Sequence, residues 1–370
     1  MIAERADDTD TARELPREVF AALADAGMFH IGIPRALGGG ELDMPTWALV
    51  MEELGKADAS TAWAVNQGAN FATISARMPP EIARAIWIDT PRSVVSNSPA
   101  PTGQAVVVED GYRVSAKQGF STGCRHASWI AAHAQIIENG EVRKLNGKPE
   151  ARYLFVPIAQ AELLDTWHTR GMRGTGTHHF EVRDVFVPAE RSVLAVGAPL
   201  VHTGPRYRLP FGLTFAPGDA MVALAVARSC LDTFGEIAGA KTPRFMPGLL
   251  REQGHAQLTV GQAEAAVRSG RAFLIEAVGD LWDEVTSTGV ASVEKRAVLR
   301  VAATHAIRLA AQAVDSLYNA AGATAIFTTS LMQRHFQDIH VITQHMQGRL
   351  AHYEMIGQYW LGIPVDESRF

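Results

Sequence analysis

From about Phe215 to its end, this chain is built of segments whose apolar side chains recur every third or fourth position, and that periodicity constrains the fold more than any other feature. It falls into four long stretches, roughly 217 to 240, 254 to 287, 293 to 321 and 330 to 361, each with an Ala-rich or Leu-rich stripe. In the third, Val298, Val301, Ala302, His305, Leu309, Ala313 and Leu317 line one face. Such a stripe must be covered, and four helices of this kind cover one another as a bundle.

The same period marks the start. Leu15, Val19 and Leu23, then Trp47, Val50, Met51 and Leu54, predict amphipathic helices linked by the Gly- and Pro-bearing loop IGIPRALGGGELD. After Pro91 the character changes to short β-rich runs, QAVVVEDGYRVSA, SWIAAHAQII, ARYLFVPI and HFEVRDVFVP, several joined through Gly-containing turns. The expected layout is therefore mainly α with a central β-barrel: a helical domain over 1–90, a barrel or small sheet over 91–200, and a four-helix bundle over 201–370. No internal repeat, low-complexity tract or sustained heptad interrupts it.

Composition excludes several classes of function. The 34 basic and 39 acidic residues are evenly mixed and sum to −5, which leaves no electrostatic footprint for nucleic acid or an anionic membrane. Cys124 and Cys230 are too few and too far apart for a disulfide framework or a zinc cluster, so a reducing compartment, by default the cytoplasm, is expected. The start MIAERADDTDTARELP is acidic rather than basic and then apolar, and no apolar run approaches the roughly 20 residues of a membrane span.

Three stretches can carry chemistry. GMRGTGTHHFEV (Gly171 to Val182) is Gly-rich, but it has no lysine after its glycines and runs into a strand rather than a helix, so it is no phosphate loop. GFSTGCRHASW (Gly119 to Trp129) sets Ser121 and Thr122 on a turn, where their hydroxyls and neighbouring amides can meet a polar ligand edge; an ordinary Ser/Thr turn fits as well. Cys124 there reads as a buried, inert thiol more readily than a reactive one. The last helix carries His335, Asp338, His340, His345 and His352, with Asp338, His345 and His352 seven residues apart on one expected face. A carboxylate-bridged metal centre needs two ExxH pairs, and the only one, Glu252 to His255, is broken by Gly254. His305 fits a satisfied core histidine, whereas His345 is of the type that serves as acid, base or hydrogen-bond donor.

Four stretches, LADAGMFHIGIPRALGGGELD, MEELGKADASTAW, the serine-turn segment and GMRGTGTHHFEVRDVFVP, resemble the acyl-CoA dehydrogenase superfamily, and the likeness extends over essentially the whole chain. The resemblance implies an N-terminal helical domain, a middle β-barrel and a C-terminal four-helix bundle, with a flavin between barrel and bundle, in a homotetramer. In dehydrogenases of that family a late glutamate, often in an ITQ-x-x-E-G context, removes the α-proton of an acyl-CoA. Here the run is Ile342-Thr343-Gln344-His345-Met346-Gln347-Gly348, with Gln347 in the base's place. Glu236, Glu264 and Glu276, on other helices, remain open as a displaced base.

Other stretches resemble a different branch. VVSNSPAPTGQAVVVEDGYRVSAKQGFSTGC (Val94 to Cys124) lacks the E-P-x-x-G-S-D pattern of dehydrogenases and, like AAGATAIFTTSLMQRHFQDIHVITQH (Ala320 to His345), is similar to flavin-dependent two-component monooxygenases. These include the oxygenase component of p-hydroxyphenylacetate hydroxylase, dibenzothiophene monooxygenase and the nitrososynthases. The resemblance implies reduced FMN, or alternatively FAD, delivered by a separate flavin reductase. It implies reaction with O2 through a C4a-hydroperoxyflavin and oxygenation of a small aromatic, heteroaromatic or related substrate. Carried over residue by residue, it implies Ser121 at flavin N5 and His345 near the peroxide or substrate. Asn97 and Trp167 would line the pocket, Arg173 and Arg244 would contact flavin or phosphate, and Gly322 would sit at the dinucleotide loop. The alternative implied is an FAD-dependent acyl-CoA dehydrogenase with a displaced base.

Overall fold

A computed structural model describes residues 1–367 and 370. Its described elements run in the predicted order. Helices come first: α1 (Ala6–Ala12), α2 (Arg17–Asp25), α3 (Met44–Ala57), α4 (Ala59–Phe71) and α5 (Pro80–Trp87). Strands follow: β1 (Val95–Asn97), β2 (Gly103–Val108), β3 (Gly111–Ser121), β4 (Trp129–Glu138), β5 (Glu141–Val142), β6 (Lys144–Leu145), β7 (Lys148–Pro149), β8 (Ala151–Pro157), β9 (Glu162–Leu164), β10 (His178–Pro188) and β11 (Ser192–Leu194). Then come α6 (Ala216–Ala240), α7 (Gly254–Thr288), α8 (Val293–Ala321), α9 (Leu331–Gln344) and α10 (Ala351–Trp360). Compactness divides the chain into two units, one of residues 1–42, 64–168 and 173–207, the other of residues 43–63, 169–172 and 208–370.

The first unit holds the sheet. Its ladder runs β11-β8-β4-β2-β3-β10-β9, with β1 parallel and β5 antiparallel on β4, and β6 and β7 form a separate hairpin. Along β3, buried Val114, Ala116 and Gln118 alternate with exposed Arg113, Ser115 and Lys117, the period of a strand with one covered face. Ile130, Ala132, Ala134, Ile136, Leu154, Val156, Phe180 and Val182 complete that core. The central barrel expected from sequence is here an open, mixed nine-stranded sheet, because among the described residues the ladder ends at β9 and β11 without a pairing between them. Short terminal strands of three residues each give the edges little with which to close.

In the second unit α6 is central. Every residue from Ala216 to Ala227 is buried, because this helix meets α3, α7, α8 and α9, and a helix apolar on all sides must be covered on all sides. Ser292 caps α8 by accepting from the Lys295 amide at 3.3 Å, and Gly289, in the left-handed region at φ 75°, ends α7.

The single last helix predicted over 330 to 361 is instead two, α9 and α10, separated at His345. A row of polar side chains on α8, spaced four residues apart, explains the break. Arg300 donates to Oε1 of Gln347, Thr304 donates to the Gln347 carbonyl at 2.8 Å, and Arg308 donates to the Gly348 carbonyl at 2.8 Å and to the Thr343 carbonyl at 3.3 Å. These donors take carbonyls at the point where the helical ladder stops, so the chain can leave the helix without orphaning them. Gly348 is needed there, since a Cβ would press on the Thr343 carbonyl and the Ile307 side chain.

Thr304→Val, which keeps the shape but removes the hydroxyl, leaves the buried Gln347 carbonyl without this donor. It should lower stability by about 1–3 kcal/mol, read as a lower urea midpoint at unchanged slope. Burial holds both His133 and His178 down to about 4 from 6.5. The unfolded chain then takes up protons on these rings below pH 6.5 while the folded one does not until about 4. Their contribution to stability is thus complete above pH 6.5 and lost progressively as pH falls to 4, which urea midpoints measured across that window will register.

Candidate functional site

In the sheet unit the site begins with a bulge. Pairing of β10 with β3 matches His178 to Ser121 and Phe180 to Gln118, so His179 faces both Gly119 and Phe120. Phe120 absorbs the extra residue in the left-handed region at φ 59°, a costly backbone for a bulky side chain and a feature that concentrates at functional sites. The result is a phenylalanine 65% exposed, its ring 6.4 Å from that of half-buried Trp167. Gly119 permits the bulge, because a Cβ there would run into the His179 ring. Trp167 is held from behind, since buried His178 accepts through Nδ1 from the amides of Thr166 and Trp167, both at 3.2 Å.

Ser121 emerges from the bulge facing inward. It is fully buried, with its hydroxyl 2.7 Å from that of Ser96 on β1. Ser96 has one proton and donates it to the Thr122 carbonyl at 2.8 Å, so the proton between the two hydroxyls is Ser121's. A side chain with no accessible surface does not touch a ligand without rearrangement. The half-buried hydroxyl of this turn is Thr122, 3.0 Å from Thr177, which in turn lies 2.7 Å from Thr175. Beside Ser96, Asn97 is half-buried, and its amide has no hydrogen bond among the described residues. An exposed flat ring, a tryptophan edge, a hydroxyl cluster and an amide are groups of the kind that a flavin's apolar faces and polar rim require. Arg173 is less suited, because its guanidinium is bonded to Asp10 of α1, at 3.1 Å to the carbonyl and 3.3 Å to the carboxylate.

In the helical unit His345 occupies the helix break. Its Nδ1 lies 3.2 Å from Oδ2 of Asp219, its ring meets Trp63 edge-on at 5.0 Å, and about a third of the side chain is exposed. Asp219, fully buried on the first turn of α6, is a carboxylate the helix-period reading passed over as part of an apolar run. Gln347 is buried with both ends of its amide engaged, Oε1 by Arg300 and Nε2 by the Gly212 carbonyl at 2.9 Å. Burial lowers the Arg300 guanidinium to about 10, with Asp219 opposing that fall.

The other carboxylates considered as a base do not replace it. Glu236 and Glu276 are exposed, and Glu264 is bound by Arg268 and Arg228, which hold it below the usual carboxylate range. The expected common face of Asp338, His345 and His352 does not form, because the chain breaks between them. Asp338 accepts from the Met172 amide at 2.5 Å and His352 pairs with Thr304 at 2.8 Å. Among the described residues no metal-ligating cluster occurs. His305 bonds Tyr353 at 3.0 Å as a core histidine should, and burial pushes the Cys124 and Cys230 thiols up to about 11 and 12, which leaves both inert.

Arg244 is exposed and stacks over Phe245, 4.7 Å from its centroid. Gly322, at the end of α8 with φ 63°, lies beside Lys241, which donates to the Ala321 carbonyl at 2.6 Å. A shallow hollow of about 430 Å³ lined by Phe234, Ala238, Arg251 and Val260 lies elsewhere and contains none of these residues. Among the described residues no helix is long and apolar enough to cross a membrane.

Sequence profiles for the acyl-CoA dehydrogenase N-terminal and C-terminal domains match residues 1–82 and 218–349. The chain is 29% identical to indole-3-acetate monooxygenase of Pseudomonas putida, over 97% of this chain and 90% of that one. It is 28% identical to the oxygenase component of FADH2-dependent resorcinol hydroxylase from a Rhizobium species, over 96% and 90%. Among solved structures, 3-HSA hydroxylase from a Rhodococcus species superposes with a TM-score of 0.89 at 25% identity, over 100% of this chain and 96% of that one. Both of its terminal domains, together more than half its length, thus place the chain in the acyl-CoA dehydrogenase superfamily, to which it belongs.

Proposed function

We propose that this protein is the oxygenase component of a two-component flavin monooxygenase acting on a small aromatic, heteroaromatic or related substrate. Reduced flavin supplies two electrons; one atom of O2 enters a C–H bond of the substrate as hydroxyl and the other leaves as water, with oxidised flavin released. The observation that carries this reading is the state of Gln347. In the place where a dehydrogenase keeps its base stands an amide that is buried and hydrogen-bonded at both ends, unable to accept a proton from a thioester. The full-length relatives named as monooxygenases support the same choice.

The roles follow from chemistry each residue can supply. Thr122 offers the accessible hydroxyl to flavin N5, and Ser121, behind it, acts by fixing the turn through Ser96. Asn97 and Trp167 line the same face. His345 holds or moves a proton at the reacting oxygen, where Trp63 helps exclude the water that would discharge the oxygen as hydrogen peroxide. Arg244 and Gly322 would meet the flavin's phosphate end, and Arg173 steadies its loop on α1. Reduced FMN is the flavin proposed, with FAD the alternative. A separate reductase would deliver it to a homotetramer in the cytoplasm. The three-part division at 90 and 200 belongs to this reading as well.

The test is anaerobic binding of reduced FMN and reduced FAD, then mixing with isotopically labelled O2 and a panel of phenols and indoles. Incorporation of one labelled atom into product is the expected result. Failure to bind reduced flavin, or bleaching of bound FAD by an acyl-CoA, would sink the proposal. With a substrate in hand, Thr122→Val should raise the share of electrons lost to hydrogen peroxide several-fold, while Ser121→Ala should mainly lower stability, by about 1 kcal/mol. Restoring a carboxylate with Gln347→Glu should not confer acyl-CoA oxidation, because Arg300 will pair with it in place; FAD bleaching by acyl-CoA checks this.

A further inference from the structure

Asp219 is a feature of the helical unit that neither packing nor the roles above explain. It is a carboxylate with no exposed surface, inside twelve consecutive buried residues of α6. Burying such a group costs several kcal/mol unless opposite charge and hydrogen bonds offset it. Three groups are among those that do so. The carboxylate sits in the first turn of a long helix, where the backbone dipole favours negative charge. Arg300 of α8 lies within electrostatic reach. The third is the His345 ring, whose Nδ1 is 3.2 Å from Oδ2. That pair stands at ion-pair distance without full hydrogen-bond alignment, as such contacts often do before substrate draws them together.

We propose that Asp219 is a positioning residue that fixes the tautomer and direction of His345. A carboxylate only accepts, so the ring nitrogen facing it must carry the proton. Nδ1 is thus N–H toward Asp219, and Nε2 is left bare toward the accessible side, able to accept a proton and return it. Trp63, edge-on to the ring, restricts its rotation. Arg300 brings positive charge within reach of Asp219 and is itself anchored on Gln347, so Gln347 serves as the far support of the dyad. The proposal rests on the monooxygenase reading for what His345 does, but not for how the ring is held.

The test is nitrogen NMR of the protein labelled at histidine, at alkaline pH where the ring is neutral, with His345 assigned by difference from His345→Gln. The expected spectrum has a protonated Nδ1 and a bare Nε2. In Asp219→Asn the group facing Nδ1 can donate through its NH2, which favours the other tautomer. Product formed per reduced flavin should then fall by about 10- to 100-fold, the usual loss when the group orienting a working imidazole is removed, with reduced-flavin binding unchanged. A wild-type spectrum with the proton on Nε2, or a tautomer unmoved in Asp219→Asn, overturns the proposal; the wild-type result decides even if the variant does not fold. The expected tautomers together with no oxygenation of any probe would uphold the dyad and reject the monooxygenase instead.

Discussion

One polar edge on α8 organises the helical unit. Arg300, Thr304 and Arg308 are spaced a turn apart on a helix otherwise rich in alanine, and together they hold the Thr343, Gln347 and Gly348 segment by its carbonyls and one side-chain amide. A helix interrupted in a buried setting would otherwise leave several backbone acceptors without donors, each costing about 1–3 kcal/mol. Because α8 supplies those donors, His345 stands at the end of a helix rather than on its side. An interior helical position would have committed its backbone and turned its ring along the helix face. At the break the ring can meet Asp219 on one side and open space on the other. The histidine's chemistry therefore depends on residues that never touch it.

The sheet unit uses a different device to the same end. A strand with period two would place Phe120 and Ser121 on opposite faces in any case, but an unbulged pairing would keep both in the ladder beside β10. The extra residue at Gly119–Phe120 takes the phenylalanine out of the ladder, exposes its ring beside Trp167, and returns Ser121 to the interior in register with His178. Ser121 then does for the turn what Thr304 does for the helix break. It supplies a buried hydroxyl that fixes a neighbouring backbone so that the next residue, Thr122, presents its own.

These two devices also mark where the sequence was readable and where it was not. Helical stretches separated by a β-rich third were legible, because burying a stripe needs a period, and the period is visible in Val298 through Leu317 or in Val114, Ala116 and Gln118. Gln347 was legible as an amide in a carboxylate's place. The break at His345 was not, since its cause lies on α8, and nothing local to Ile342 through Gly348 distinguishes it from helix except one glycine. The four-residue spacing of Arg300, Thr304 and Arg308 was the available signal, a polar row on an apolar helix. Asp219 was hidden in the same way, read as a lone acid in a hydrophobic run, although an unexposed carboxylate in such a run is the kind of cost that marks a site. The inward turn of Ser121 depends on a bulge, and Arg173 on Asp10 of a distant helix, and neither pairing has a local pattern.

A scaffold that serves proton abstraction in the dehydrogenases of this family can serve oxygen transfer if its buried charges are balanced differently. A glutamate at 347 facing Arg300 would be a closed ion pair, and it would neutralise the charge that Asp219 now answers. With glutamine there, the charge of Arg300 stays within reach of the buried carboxylate of Asp219. That carboxylate also faces the ring of His345, with Oδ2 3.2 Å from Nδ1. The loss of a negative charge at one position and the working orientation of a histidine two residues before it are thus parts of one electrostatic balance. In the low dielectric of a buried cluster, an unbalanced charge would cost more than any single hydrogen bond there returns.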